Sequence, residues 1–228
     1  MSRGLIVFVR EALPGRVKTR LAGDLGVGAA TELYAAMRAD VLESASSLAD
    51  VRLLVFWAVE QGALPVLQEL PRLEMFAQKG ATLGERMAAA FVTAFASGIR
   101  NCCIIGSDSP DLPLRHIEEA FQALEQDRAD VVFGPAADGG YYLLGMRRLW
   151  GRLFEDVFWS SPQVLETSLE RARELNLRSL LLPPWYDLDT IADLRRLAAS
   201  DGRNAPRTRQ ALLHLEEQLH STSKAGSL

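Results

Sequence analysis

Short apolar runs alternate along this chain with longer stretches in which apolar residues recur every three or four positions. The runs at 5–9, 51–58, 74–77, 102–106, 131–133, 141–146 and 179–182 predict strands. The stretches at 29–48, 83–97, 114–126 and 164–175 predict amphipathic helices. Strands separated by helices need crossover connections, so the expected fold class is α/β, with a mostly parallel sheet covered by helices on both faces. Two helix starts are written out locally. Thr82-Leu83-Gly84-Glu85 and Thr190-Ile191-Ala192-Asp193 have the spacing of a capping box, in which the first and fourth side chains satisfy free backbone donors reciprocally. Leu83, Met87, Phe91 and Phe95 then recur at four-residue intervals and form one apolar stripe. Residues 201–206 are a turn-rich break, and the helix after it is expected to end in an unordered small polar tail at 221–228.

The length of 228 residues suits one α/β domain over 1–205 with a C-terminal helix and tail over 206–228. A hydrophobic share of 48% is enough for a substantial core. The formal net charge of −4 argues against nucleic-acid binding, which needs clustered positive charge over a broad face. Cys102 and Cys103 are adjacent, so on a strand their thiols point to opposite faces, and they form neither a disulfide framework nor a zinc motif. His116, His214 and His220 have no metal-ligand spacing, and all three are expected at solvated positions. The first apolar run is too short for a signal peptide, and no segment reaches the ~20 apolar residues needed to span a bilayer. A cytoplasmic protein without a membrane role is expected; its oligomeric state stays open.

In an open parallel sheet, ligands bind beyond the carboxyl ends of the strands, so residues that directly follow strands carry the functional signal. After the first strand comes Arg10-Glu11-Ala12-Leu13-Pro14-Gly15-Arg16-Val17-Lys18-Thr19-Arg20, in which Pro14-Gly15 marks a turn. Arg16, Lys18 and Arg20 alternate, and an extended loop would aim all three at one side, where phosphate oxygens are the fitting partner. The Gly-rich P-loop pattern is absent. After the strand at 102–106 come Ser107, Asp108 and Asp111; magnesium takes one or two protein carboxylates and completes its shell with water and substrate phosphate. Asp111 also fits the start of the following helix. Asp138-Gly139-Gly140 allows close backbone approach to a ligand or makes a tight turn. Asp187 and Asp189 are two apart, so an extended chain presents them on one side; Asp189 either reaches the same metal as Asp108 or supports the helix begun at Thr190.

These segments resemble those of the bacterial nucleotide-diphospho-sugar transferase superfamily, with the glycosyltransferase A fold. More narrowly, the chain is similar to arsenosugar-biosynthesis-type glycosyltransferases over residues 5–197. The resemblance is carried by Pro14-Gly15-Arg16-Val17-Lys18-Thr19-Arg20-Leu21, Leu83-Gly84-Glu85-Arg86-Met87, Gly106-Ser107-Asp108-Ser109-Pro110-Asp111-Leu112, Asp138-Gly139-Gly140-Tyr141-Tyr142-Leu143 and Asp187-Leu188-Asp189-Thr190. It implies a divalent metal, Mg2+ or Mn2+, at Asp108, with Asp189 completing the site; Asp111, from the strand-end pair, is the further candidate ligand. It implies nucleotide phosphates at the loop of Arg16, Lys18 and Arg20; Arg10, Ser107, Gly139 and Gly140, which also follow strands, are further candidate contacts. Three positions depart from the family pattern: Ala137 where an acidic residue commonly stands, Thr82 where an aspartate does, and Ile191-Ala192 in place of Pro-Glu.

Three functions follow from the resemblance. In glycosyl transfer from a nucleotide-sugar to a small acceptor, Lys18 and the metal neutralise charge on the leaving diphosphate, and Asp138 is the candidate general base. In nucleotidyl transfer, pyrophosphate leaves an NTP; here Lys18-Thr19-Arg20-Leu21 is similar to the corresponding segment of 2-phospholactate guanylyltransferases. The third is a non-catalytic nucleotide-binding domain.

Overall fold

The computed structural model describes the backbone of residues 2–59, 73–159 and 161–225, with side chains up to residue 215. Packing divides the chain into two compact units. The first comprises Met1–Glu11, Ala45–Gly106 and Pro113–Tyr186 and contains the sheet. Its strands are β1 (Arg3–Arg10), β2 (Val51–Ala58), β3 (Glu74–Ala77), β4 (Asn101–Ile105), β5 (Val131–Pro135), β6 (Tyr141–Met146) and β7 (Ser179–Leu181). They lie in the order β3-β2-β1-β4-β6-β5-β7. All the predicted strands are present, within two residues of their expected ends. β6 runs antiparallel to both β4 and β5, whereas the remaining pairs are parallel. The reason is local: β5 and β6 are joined by a turn too short for a helical crossover, which leaves a hairpin as the available connection.

Helices α3 (Leu83–Ala96), α4 (Leu114–Glu125) and α5 (Val164–Glu174) belong to the same unit. One face of the sheet, carrying Ile6, Leu54, Cys102, Ile104, Phe133 and Leu144, packs with Met87, Phe91 and Ala94 of α3 and Ala172 of α5. The other face meets α4: a Cβ at Gly145 would lie 3.0 Å from the Cys103 sulfur and 3.4 Å from Leu124 of α4, so the packing there is close. Cys102 and Cys103 therefore sit on opposite faces, both fully buried. Burial pushes both thiols above their ordinary pKa, which keeps them protonated. The stripe on α3 is displaced from the expected one. Leu83 is 45% exposed, and the buried face is Gly84, Met87, Ala90, Phe91 and Ala94. Gly84 is required because a Cβ would lie 2.5 Å from the Trp159 ring. Thr82 caps α3 through the Glu85 N–H, but the Glu85 carboxylate accepts from the Ala81 N–H, so the reciprocal half of the box lands one residue early.

His116 is buried, not solvated. The Tyr142 hydroxyl donates to the Pro183 carbonyl at 2.9 Å, which uses its only proton. Its 3.1 Å contact with His116 Nδ1 therefore has the imidazole donating, and fixes the Nδ1–H tautomer. Burial, reinforced by Arg115, lowers the His116 pKa below the ordinary imidazole value. The unfolded chain then takes up a proton, near pH ~6.5, that the folded chain refuses. Stability from this site is fully present above about pH 6.5 and is lost as pH falls through the lower folded value. Urea midpoints are expected to drop between about pH 7.5 and 5.5, and to drop less in His116→Gln. Equal drops in the two proteins would show that other groups cause the acid limb.

The second unit comprises Ala12–Ser44, Ser107–Leu112 and Asp187–Leu228. It contains α1 (Thr19–Leu25), most of α2 (Val27–Ser46), α6 (Ile191–Ala199) and α7 (Pro206–Ala225). α2 buries Ala30, Leu33, Tyr34, Met37 and Val41. The buried carboxylate of Asp40 accepts from the Arg207 N–H at 3.1 Å and from the Thr208 N–H and hydroxyl, each at 2.7 Å. It thereby satisfies donors that the first turn of α7 leaves open, and Glu43 pairs with Arg207 beside it. α7 begins at Pro206, where the missing N–H costs nothing. It runs on to Ala225, through most of the tail expected to be unordered; no Gly or Pro interrupts it before Gly226. Residues 226–228 of that expected tail lie outside the described residues.

Candidate active site

The chemistry-bearing residues of the second unit come from three segments distant in sequence. The first is the loop after β1. The Arg16 N–H donates to the Leu13 carbonyl at 3.0 Å and Gly15 has φ 75°, so Pro14-Gly15 forms the central pair of a tight turn. The chain does not then run extended. Lys18 takes the left-handed conformation at φ 46°, ψ 45°, and α1 starts at the next residue. Arg16 is therefore on the turn, Lys18 at a helix cap and Arg20 in the first turn of α1. The alternation expected to aim all three cations at one side is broken, because side chains alternate only on an extended backbone. Arg16 and Arg20 are exposed, whereas the Lys18 side chain is 3% exposed.

The second segment follows β4. Ser107 is buried and hydrogen-bonds through its hydroxyl to that of Tyr34 at 2.9 Å. The third precedes α6. The Ser109 hydroxyl donates to Asp187 at 2.7 Å, and the Leu188 N–H donates to the Asp108 carbonyl at 2.8 Å. Those two bonds join the second and third segments, and they bring Asp108 and Asp189 to one point. Lys18 Nζ lies 2.5 Å from Asp108 Oδ1 and 2.7 Å from Asp189 Oδ1. The carboxylate oxygens are thus within about 5 Å of each other.

The Asp189 side chain does not cap the helix that follows. The cap of α6 is made by other groups: the Thr190 hydroxyl accepts from the Asp193 N–H, and the Asp193 carboxylate accepts from the main-chain N–H of Thr190 at 2.8 Å and of Asp189 at 3.2 Å. Nor do Asp187 and Asp189 share a side. The Asp189 N–H turns back to the Asp187 carbonyl at 3.2 Å, and the two side chains go to different partners, Ser109 and Lys18. Asp111 is buried, with its main-chain carbonyl accepting from Asn204 at 3.3 Å.

Burial alone would lower the pKa of the Lys18 ammonium, but Asp108 and Asp189 outweigh it and hold it above the ordinary lysine value. Lys18 is a fixed cation at neutral pH. Asp108 and Asp189 keep 49% and 42% of their side-chain surface exposed, so a ligand can reach them. Among the described residues no three His, Cys, Asp or Glu side chains group around one point, so Asp111 does not join the pair. Two accessible carboxylates that already share one cation fit magnesium or manganese, whose remaining positions are taken by water and substrate oxygens.

The remaining candidates belong to the first unit. Arg10 is the exposed last residue of β1. Asp138-Gly139-Gly140 forms the β5–β6 turn: the Gly139 N–H closes it on the Ala136 carbonyl at 3.2 Å, and Asp138 Oδ1 accepts from the Gly140 N–H at 2.9 Å. Gly139 has φ 91°. Of the two readings of the paired glycines, the tight turn is present. Nearby, Phe154 is buried while Phe158 is 82% exposed. Sequence reasoning missed the bracing by Tyr34 and Ser109. A tyrosine inside a helix and a serine in a loop carry no distinguishing pattern.

The family DUF2064, described as an uncharacterized protein conserved in bacteria, matches residues 41–161. The chain belongs to the DUF2064 family. No curated protein matches it by sequence. A solved structure from Desulfovibrio desulfuricans G20, provisionally named a nucleotide-diphospho-sugar transferase, is 30% identical to this DUF2064 chain. The match covers 96% of this chain and 97% of the other, at a TM-score of 0.84. CMP:2-keto-3-deoxy-manno-octonic acid synthetase, solved with CTP, matches at 14% identity and a TM-score of 0.53, over 86% of this chain and 97% of the other. Molybdopterin-guanine dinucleotide biosynthesis protein A from Archaeoglobus fulgidus matches at 16% identity and a TM-score of 0.55, over 85% and 95%. At those lower identities the likeness is one of fold. The expected α/β fold of the nucleotide-diphospho-sugar transferases is the fold observed.

Proposed function

We propose that this chain is a metal-dependent transferase acting on a nucleotide substrate, and that its reaction is glycosyl transfer from a nucleotide-diphospho-sugar to a small acceptor. The observation that carries the reading is Lys18, a buried, permanently charged ammonium shared by two accessible aspartates directly after β4 and before α6. The 30% identical relative, named for nucleotide-diphospho-sugar transfer and matched along nearly its whole length, supports that class of substrate. Asp108 and Asp189 would hold the metal, which supplies positive charge to the diphosphate as the glycosyl bond breaks. Lys18 contributes a compact cation at the same place, and its burial strengthens the interaction with a phosphate oxygen. Arg16 and Arg20, both exposed, are the further candidates for phosphate contact.

Nucleotidyl transfer is the second reading. It is favoured by the fold shared with CMP:2-keto-3-deoxy-manno-octonic acid synthetase, and the same cation and carboxylates suit a leaving pyrophosphate. Thermal-shift curves against NTPs, NDPs and NDP-sugars, with Mg2+ or Mn2+ and again with EDTA, separate the two. A ligand at a hundredfold excess over its dissociation constant adds about 2.7 kcal/mol of stability. Glycosyl transfer predicts that an NDP-sugar stabilises more than its parent NDP, and only with metal. An NTP that stabilises most, with no gain from any sugar, favours nucleotidyl transfer. No stabilisation by any of them leaves the non-catalytic reading.

A further inference from the structure

The same ammonium cannot serve the two aspartates and a substrate phosphate at once. Lys18 Nζ occupies the point at which a divalent ion held by Asp108 and Asp189 would have to sit, 2.5 and 2.7 Å from their oxygens. We propose that Lys18 is a built-in cation that holds the metal position closed, and that it leaves the two aspartates when the metal displaces it, a step that a phosphate favours by taking the lysine over. This inference rests on the metal-dependent reading above and states how that site loads.

Three observations converge on it. The first is charge. Two carboxylates and one ammonium leave one net negative charge, but a divalent ion added beside the ammonium would place two cations against each other at contact distance. One of them must move. The second is burial. The Lys18 side chain is 3% exposed, so once displaced it cannot simply hydrate where it stands and needs another anion. Substrate phosphate is the anion that the reaction brings. The third is conformation. Lys18 is a non-glycine residue at φ 46° at the boundary between a turn and α1, and its side chain makes no cap bond there. Such a conformation persists only where surrounding contacts impose it, and the two ion pairs are contacts of that kind. Releasing them frees both the side chain and the backbone bend that presents it.

The consequence is coupling. Metal alone must compete with Lys18, so its apparent affinity is reduced by the fraction of molecules in which the lysine is already released. Phosphate raises that fraction, and by linkage metal raises phosphate affinity by the same factor. A lysine suits this exchange better than an arginine: its charge is compact, like the ion it replaces, and it has no planar fork to be realigned. The chain has only three lysines, Lys18, Lys79 and Lys224, so Lys18 is also easy to follow.

The test is Mn2+ alone, titrated calorimetrically into the full chain as wild type, Lys18→Met, and Lys18→Met with Asp108→Asn. Lys18→Met is expected to bind Mn2+ at least about tenfold more tightly than wild type, and the double variant to lose that binding. Equal or weaker Mn2+ binding by Lys18→Met, or none, overturns the proposal. Should Lys18→Met fail to fold, the Lys18 side-chain resonances of lysine-labelled wild type are followed during a Mg2+ titration. Movement toward the values of a released lysine, in step with calorimetric binding, supports displacement; a static Lys18 while Mg2+ binds overturns it. Nucleotide stabilisation of wild type in the thermal-shift panel is read separately. If it persists while Mn2+ affinity ignores Lys18, the exchange fails and the transferase reading stands.

Discussion

Asp108→Asn is expected to lower metal-dependent nucleotide affinity by about 100-fold or more, to the level seen in EDTA, while the protein stays folded. The size of the effect follows from the ligand count. With Asp111 outside the pair, the metal has two protein carboxylates at most, and an amide oxygen in place of one of them removes half of the anionic charge. Folding survives because Asp108 is 49% exposed and Lys18 keeps its ion pair with Asp189 at 2.7 Å. Asp189→Asn should behave alike, whereas Asp111→Asn should leave the metal dependence unchanged. Calorimetry with and without EDTA decides it. Unchanged metal-dependent affinity in Asp108→Asn would take the residue out of the site.

Gly139→Ala is expected to cost about 3–5 kcal/mol of stability, the largest single effect on folding foreseen for this chain. Two separate penalties meet at this position. The backbone has φ 91°, where an L side chain is strained. In addition, the new Cβ would lie 2.1 Å from the Pro162 carbonyl oxygen and 2.6 Å from its carbon, and neither can swing away as the end of a side chain would. The Gly139 carbonyl also accepts from the Leu165 N–H at 3.0 Å, so moving Gly139 to relieve the clash breaks a bond to α5. Gly140→Ala is the control. Its Cβ would approach only the Asp138 side chain, at 3.2 Å, so its loss should be smaller. Urea unfolding of the two variants measures the difference; equal losses would remove the assigned cause. A nucleotide-affinity loss in folded Gly140→Ala would show that this turn also meets the ligand.

Much of this architecture was legible in the residues. Strand-length apolar runs separated by helical periodicity predict an α/β sheet because burial on both faces demands continuous apolar strands. Thr190 and Asp193 announce the α6 start, and the reciprocal cap is there. What escaped has identifiable causes. α1 is seven residues long and buries only Leu21, so it has no periodicity to read. The left-handed turn at Lys18 has no marker, since it is glycine or asparagine that usually signals positive φ. His116 looked solvated among charged neighbours, yet a buried tyrosine more than twenty residues away holds its ring.

By itself, then, the sequence determined most of the elements, their approximate bounds and the residue types available for phosphate and metal: cations after β1, aspartates after β4 and before α6. Those depend on local periodicity and local turn chemistry, which are read along the chain. Only the tertiary structure decided which of those groups meet. The Ser109–Asp187 and Leu188–Asp108 bonds bring Asp108 to Asp189 across 81 positions of sequence, and Lys18 joins them from a third segment. Convergence of that kind is set by long-range hydrogen bonds and by the packing that excludes water from Lys18, and neither leaves a periodic trace.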